Sequence, residues 1–350
     1  MGALSACATI YERHLAAAGA HVERRGTAGS AAHLVATWPG DGPSVLLLGH
    51  FDTVWPRGQI SRQPIEERDG RLFGPGIYDM KAGLAIMAAA MRILTAQHGP
   101  SGRPRVALLA TSDEEVGSTT SRALVEDMAR QSGAVLVFEP ALPNGAVKTA
   151  RKGVGEFEIT ATGIASHAGV DPGAGASAVH EIARQITAAQ ALGDPARGVS
   201  VNVGVIEGGT RANVVAERAR AVVDVRISTM ADAARIETAL RGLSAVDPRV
   251  TVAVTGGVNR PPMERGPGVA RLFALAQDVA RGLGWELAEG ATGGGSDGNF
   301  SAALGVPTLD GLGAVGDGAH ALHEHVVIKD LAPRVALAAG VLARLGHNDW

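Results

Sequence analysis

Short apolar runs alternate with helical stretches through roughly the first 140 residues, and nothing else in the chain constrains its fold as much. Residues 44–48 read SVLLL, 106–110 read VALLA and 135–138 read VLVF. Runs this short and this continuous suit strands buried on both faces. Between them, residues 80–95 are rich in Ala, Leu, Ile and Met, and 121–130 also have helical composition. A further helix is expected at 8–18. Strands that alternate with helices fold as a mainly parallel sheet sandwiched by helices, an α/β architecture.

From about Gly153 the order changes. A strand at 157–160, a helix at 176–191, a strand at 201–206, a longer alternating strand at 214–227, a helix at 231–240 and a strand at 250–254 follow one another. The order β-α-β-β-α-β is that of a ferredoxin-like α+β unit. After Asn259, Arg260, Pro261 and Pro262 the first style resumes, with a helix at 269–282, a Gly-rich loop at 293–298 and a last helix near 331–345. The 350 residues therefore divide as one domain, 1–152 with 261–350, carrying an inserted second domain, 153–260.

Composition removes several classes of function. Net charge is −3, so the chain lacks the overall basic footprint of a nucleic-acid binder. Aromatics are only 3% of the residues, which argues against stacking platforms for single strands. Its apolar content comes instead from small residues, with 62 Ala beside 47 Gly. A single cysteine, Cys7, excludes an intrachain disulfide framework and a Cys-rich zinc site, so a metal site here must use His, Asp and Glu. No apolar run reaches the roughly 18 residues of a membrane span. Residues 1–10 contain no Lys or Arg, so a signal peptide's n-region is missing and a cytoplasmic protein is expected.

The ends of the apolar runs carry the chemistry. His50 and Asp52 follow SVLLL, and residues two apart on an extended chain share a side. A His at the carboxyl end of a parallel strand faces the crevice where open α/β sheets bind ligands. An Asp beside it can hold the second ring nitrogen of a metal-bound imidazole, although an ordinary loop His with a capping Asp has the same spelling. Asp79 lies between a Gly/Pro turn and a helix, as a helix N-cap or as a carboxylate free to bind a cation with each oxygen.

Asp113, Glu114 and Glu115 are consecutive acids directly after VALLA. A surface charge run explains such a triplet, and so does a cation that relieves the repulsion. Glu139 follows VLVF and needs a partner where it is buried. His320, His323 and His325 crowd a segment after a Gly-rich stretch. His with Asp and Glu, and no Cys, suits zinc or another divalent transition metal, and the carboxylates are too many for one cation.

These motifs, in this order, resemble the dinuclear-zinc amidohydrolase family of carboxypeptidase G-type glutamate carboxypeptidases, aminoacylases, acetylornithine deacetylases and succinyl-diaminopimelate desuccinylases. The match covers nearly the whole chain. The resemblance implies two divalent metal ions, zinc foremost and cobalt or manganese as alternatives. It implies that His50 and Glu139 serve one ion, Glu115 and His320 the other, and that Asp79 bridges them ahead of a cis Asp79–Met80 peptide. His320 is preferred to His323 because the family's His precedes a Glu, here Glu324. Asp52 then orients His50, and Glu114 is the general base.

In the inserted domain, His167 (within ASHAG) resembles the His that reaches a neighbouring subunit's active site and stabilises the oxyanion, which implies a homodimer through 153–260. Asn213 and Arg226 resemble residues that bind a substrate carboxylate, and Gly294 and Gly295 a loop lining the pocket. Family members usually begin with one more helix, so the first layer of this chain is expected to differ. The implied substrate is a small N-acyl amino acid or a peptide with a free carboxylate, cleaved as by a glutamate carboxypeptidase or by a biosynthetic deacylase. Two distant readings remain at this stage. One is a serine hydrolase using Ser296, formally within G-x-S-x-G, with Asp310 or Asp317 and His320 to follow. The other is a non-catalytic dimeric relative.

Overall fold

A computed structural model describes residues 2–26 and 31–347 of the chain. It divides into two compact units, Met1–Ala150 with Glu264–Thr292 and Ser296–Trp350, and Arg151–Met263 with Gly293–Gly295. No helix among the described residues is long and apolar enough to cross a membrane.

The first unit is built on a six-stranded sheet. Its spatial order is His21–Arg25, His33–Trp38, Pro104–Thr111, Gly42–His50, Ala134–Val137, Thr308–Leu309. The last four strands are mutually parallel, and the first two join antiparallel. The apolar runs of the sequence are the central strands, and they feed two cores because side chains alternate along a strand. Val45 and Leu47 enter one core, with the helices Gly2–Ala17, Ala82–Gln97, Pro267–Gly282 and Ile328–Leu345. Leu46 and Leu48 enter the other, with Arg122–Arg130 and Phe300. The expected sandwich is thus present, as a mainly parallel sheet with two antiparallel edge strands.

Gly83 shows why one helix starts where it does. A Cβ at that position would lie 2.1 Å from the carbonyl oxygen of Phe138. Only glycine allows Ala82–Gln97 to approach the strand end this closely. The helix begins at Ala82, and Asp79 precedes it with non-helical backbone angles. Asp79 is therefore not an N-cap, as its sequence context equally allowed. The Asp79–Met80 peptide is cis.

The second unit has a four-stranded antiparallel sheet, ordered Ser200–Gly208, Arg218–Ile227, Gly153–Thr162, Thr251–Arg260. Helices Ala178–Gln190 and Met230–Arg241 pack their apolar faces on it, around Phe157, Ile159, Ile182, Val223, Val225 and Ile236. This is the β-α-β-β-α-β order with the strand arrangement of a split βαβ. The strand expected at 214–227 is interrupted. Val214–Val215 pairs with Ser166–His167, and the main strand starts at Arg218. The strands expected at 157–160 and 250–254 are longer than their apolar cores, because the ladder extends over flanking polar residues.

Candidate active site

Parallel strands present their carboxyl ends along one edge of the sheet, and three of the expected ligand segments leave from that edge. His50 ends the strand Gly42–His50. Leu48 pairs with Val137, so two residues further on His50 stands level with Glu139. Its Nε2 lies 3.5 Å from Glu139 Oε1 and 3.2 Å from Asp79 Oδ1. The other oxygen of Asp79, Oδ2, lies 3.3 Å from His320 Nε2, which in turn is 3.2 Å from Glu115 Oε2. Asp79 stands between two imidazoles with one oxygen toward each. The structure brings His320 to this cluster, whereas His323 is exposed and His325 is buried against the Phe73 ring.

Asp52 meets His50 in a different way from the one its spelling suggested. The nearest acceptor to His50 Nδ1 is the backbone carbonyl of Asp52, at 3.1 Å, with the carboxylate Oδ1 at 3.4 Å. A carbonyl acceptor requires a proton on Nδ1 and leaves Nε2 as the ligand atom. The carboxylate's Oδ2 accepts the backbone N–H of Glu115 instead, at 3.0 Å. Asp52 thereby ties the His50 strand to the turn that carries Glu114 and Glu115.

That turn, Glu114–Val116, follows strand Pro104–Thr111 and closes at Gly117, whose φ is 94°. Of the three acids, Asp113 braces the loop through the N–H and hydroxyl of Thr120. Glu114 is half-buried and close enough to His50 to favour its charged form. Beneath the turn, the buried carboxylate of Asp297 accepts the hydroxyls of Ser118 and Thr111. The sequence marked Asp297 only as part of a glycine loop. Its bracing role had no local signal, since its partners are 179 and 186 positions away.

Charge in the cluster is unbalanced. Burial disfavours the His50 imidazolium, yet the carboxylates of Asp52, Asp79 and Glu139 outweigh it and raise its pKa well above the usual value. Burial would likewise raise Asp79, but His320 and His50 hold it well below the ordinary carboxylate range. His320 is pushed up to about 9 by Asp79, against its burial. Burial, followed by the charge of Asp79, lifts Glu115 to about 7.

The carboxylates of this cluster thus favour positive charge at both imidazoles. Among the described residues, the buried Oε1 of Glu115 has no hydrogen-bond partner, and neither has Oδ1 of Asp52. A desolvated carboxylate oxygen without donor or cation is costly. Ligand atoms of His50, Asp79 and Glu115 lie within 4.8 Å of one another. The donors are imidazole and carboxylate, without thiolate, and they fit divalent transition metals.

Ser296 is fully buried, and its hydroxyl donates to Asp310 Oδ2 at 2.8 Å while accepting the N–H of Gly298. No imidazole contacts it among the described residues. It is a packed structural hydroxyl, and the serine-nucleophile reading fails on that geometry.

The remaining expected residues lie in the second unit. His167 pairs with Val214 on a two-residue ladder, next to Asn213, and both His167 and Asn213 are exposed. The N–H groups of Gly169 and Val170 point at His167 Nδ1, at 3.1 and 3.2 Å. Nδ1 is thus the acceptor, so the neutral ring carries its proton on the outward Nε2. Arg226 already uses its fork on Asp224, with two 2.9 Å bonds. The carbonyls of Gly294 and Gly295 accept from Arg151.

An α/β unit with this His and carboxylate cluster at its strand ends defines a metal-dependent hydrolase. The chain belongs to peptidase family M20/M25/M40, whose family model matches residues 46–344. It is 30% identical to carboxypeptidase G2 of Pseudomonas sp. (strain RS-16) over 312 residues, covering 87% of this chain and 74% of that protein. It is also 30% identical to the succinyl-diaminopimelate desuccinylase of Ectopseudomonas mendocina over 347 residues, 93% of this chain and 89% of that one.

Among solved structures, aminopeptidase PepT from Bacillus cereus superposes with a TM-score of 0.82 at 23% identity, over 97% of this chain and 92% of its own. A family M20 metallo-carboxypeptidase from Sulfolobus solfataricus does so with a TM-score of 0.73 at 16% identity, over 97% and 93%. At these identities the superpositions establish the fold. With the family match they make the chain a metallopeptidase or amidohydrolase.

Proposed function

We propose that the protein hydrolyses the amide bond of a small N-acyl amino acid or peptide that carries a free carboxylate, in the manner of a glutamate carboxypeptidase. The observation that carries this reading is Asp79, with one oxygen toward His50 and the other toward His320. His50 and Glu139 would hold one divalent cation, and Glu115 and His320 a second, with Asp79 shared. Zinc is the first candidate, and cobalt and manganese accept the same donors. Bound there, the cations would supply Lewis acidity toward the scissile carbonyl and toward water.

The chain's own residues do the rest. Glu114 takes a proton from the attacking water and returns it to the leaving amine. His167, with Nδ1 occupied, offers Nε2–H to the developing oxyanion of a partner copy's substrate. Arg226 would have to exchange Asp224 for the substrate carboxylate, and Asn213 lies exposed beside His167 to assist. A homodimer is supported by the exposed edge strand Ser200–Gly208, which leaves Val205 and Ile206 in solvent.

The likeness to carboxypeptidase G2 favours a glutamate-type leaving group. A second reading, deacylation of an N-succinyl amino acid, rests on the equal identity to desuccinylases over more of the chain. A panel of N-acyl glutamates, dipeptides and N-succinyl diamino acids, assayed with zinc, cobalt and manganese in turn, separates the two. Chelation should abolish turnover, and full activity in metal-stripped protein would overturn both.

A further inference from the structure

Glu324 has no place among the ligands, yet its carboxylate is fully buried and fully used. Oε2 accepts the indole N–H of Trp55 at 2.8 Å and the backbone N–H of Gly76 at 2.7 Å. Oε1 accepts the backbone N–H groups of Tyr78 and Asp79, both at 3.0 Å. Its own carbonyl accepts the N–H of Gly74. One side chain therefore collects the segment that delivers Asp79, across some 245 positions of sequence.

Four residues before it, His320 occupies the left-handed region, with φ 63°. The backbone turns tightly from there, as Ala321 N–H bonds Gly318 and Glu324 N–H bonds Ala321. The His320 side chain is 51% exposed, and its ion-pair partners are Asp79 and Glu115. Packing does not hold this imidazole, so its position depends on the backbone that Glu324 anchors. His50 contrasts with it, being buried and held at Nδ1 by the Asp52 carbonyl.

We propose that Glu324 is a positioning residue for the second metal position. It fastens the Asp79 segment to the His320 segment and so sets the distance between those two donors. This rests on the two-metal reading above. The carboxylate form is required, because all four partners are donors and a carboxylate has about four acceptor sites. A glutamine of the same shape would turn its NH₂ toward two N–H groups.

Metal-free parent, Glu324→Gln, Trp55→Phe and His320→Ala are titrated with zinc against a chromophoric chelator, and each variant's folding is checked by circular dichroism. The parent should bind two equivalents. Glu324→Gln should bind the first as the parent does and the second about 10–100-fold more weakly, the usual effect of removing an outer partner of a ligand. His320→Ala marks full loss of the second. Trp55→Phe leaves three donors in place and should show a smaller weakening confined to the second equivalent, which keeps the test open if Glu324→Gln does not fold. Equal weakening of both equivalents, or an unchanged second equivalent, in the folded variants overturns the positioning role alone. A parent that binds a single equivalent overturns the two-metal reading with it.

Discussion

Glu114 is not among the proposed metal ligands, and it sits in a turn whose bracing has been handed to Asp113 and Asp297. Glu114→Gln should therefore lower kcat by about 10²–10⁴-fold, the range for a positioned general base, while metal stoichiometry stays at the parent value. Steady-state kinetics beside a metal titration checks both halves. The imidazoles make a pH prediction. Metal binding needs neutral His and ionised carboxylates. Since His320 is raised to about 9 and Glu115 to about 7, protons compete with the metal below those values. Apparent affinity should rise as pH goes from 6 to 9, by up to about tenfold per pH unit for each proton displaced, and level off above. Chelator competition at stepped pH reads the slope, and a pH-independent affinity would contradict the coupling.

The polar residues at strand ends were legible because an apolar run that stops on His50 or Glu139 announces its own crevice end. The strand His21–Arg25 was not legible. It reads HVERR, is largely exposed, and exists because it pairs with His33–Trp38. The helix Ala82–Gln97 was legible in content but not at its start, where contact with the Phe138 carbonyl decides. Gly83→Ala would drive a methyl into that backbone. It should destabilise the protein by about 1–3 kcal/mol, as overpacking does, and weaken metal binding because Asp79 lies just before the helix and Glu139 just after Phe138, the two parts forced apart. Urea midpoints and the metal titration measure the two effects.

For the molecule as a whole, the two units divide the expected chemistry. The His and carboxylate cluster and Glu114 belong to the first, while His167, Asn213 and Arg226 belong to the second. A homodimer in which His167 serves the partner's site makes a specific prediction. Glu114→Gln and His167→Ala should each be nearly inactive alone. Co-expressed in equal amounts, they should recover about a quarter of the parent's activity, because half of the dimers are mixed and one of their two sites is intact. No recovery, with mixed dimers confirmed by mass, would place His167 at its own chain's site or outside catalysis.

By itself the sequence determined the alternation of strands and helices, the interruption by a β-α-β-β-α-β unit, and a donor set of His and carboxylate without thiolate. These are properties of neighbouring residues, since backbone period and side-chain chemistry are written locally. Only the tertiary structure decided that Asp52 offers His50 its carbonyl and Glu115 its carboxylate, and it set the imidazole of His320, already preferred to His323 on the family's pattern, beside Asp79. It also decided that Ser296 is a buried strut and that Arg334 holds the carbonyls of Gly145, Gly311 and Gly313. Apart from the contact between His50 and Asp52, each of these outcomes joins segments separated along the chain. A donor's partner at that separation is chosen by which backbones the finished core brings within hydrogen-bond reach, and no local pattern encodes that choice.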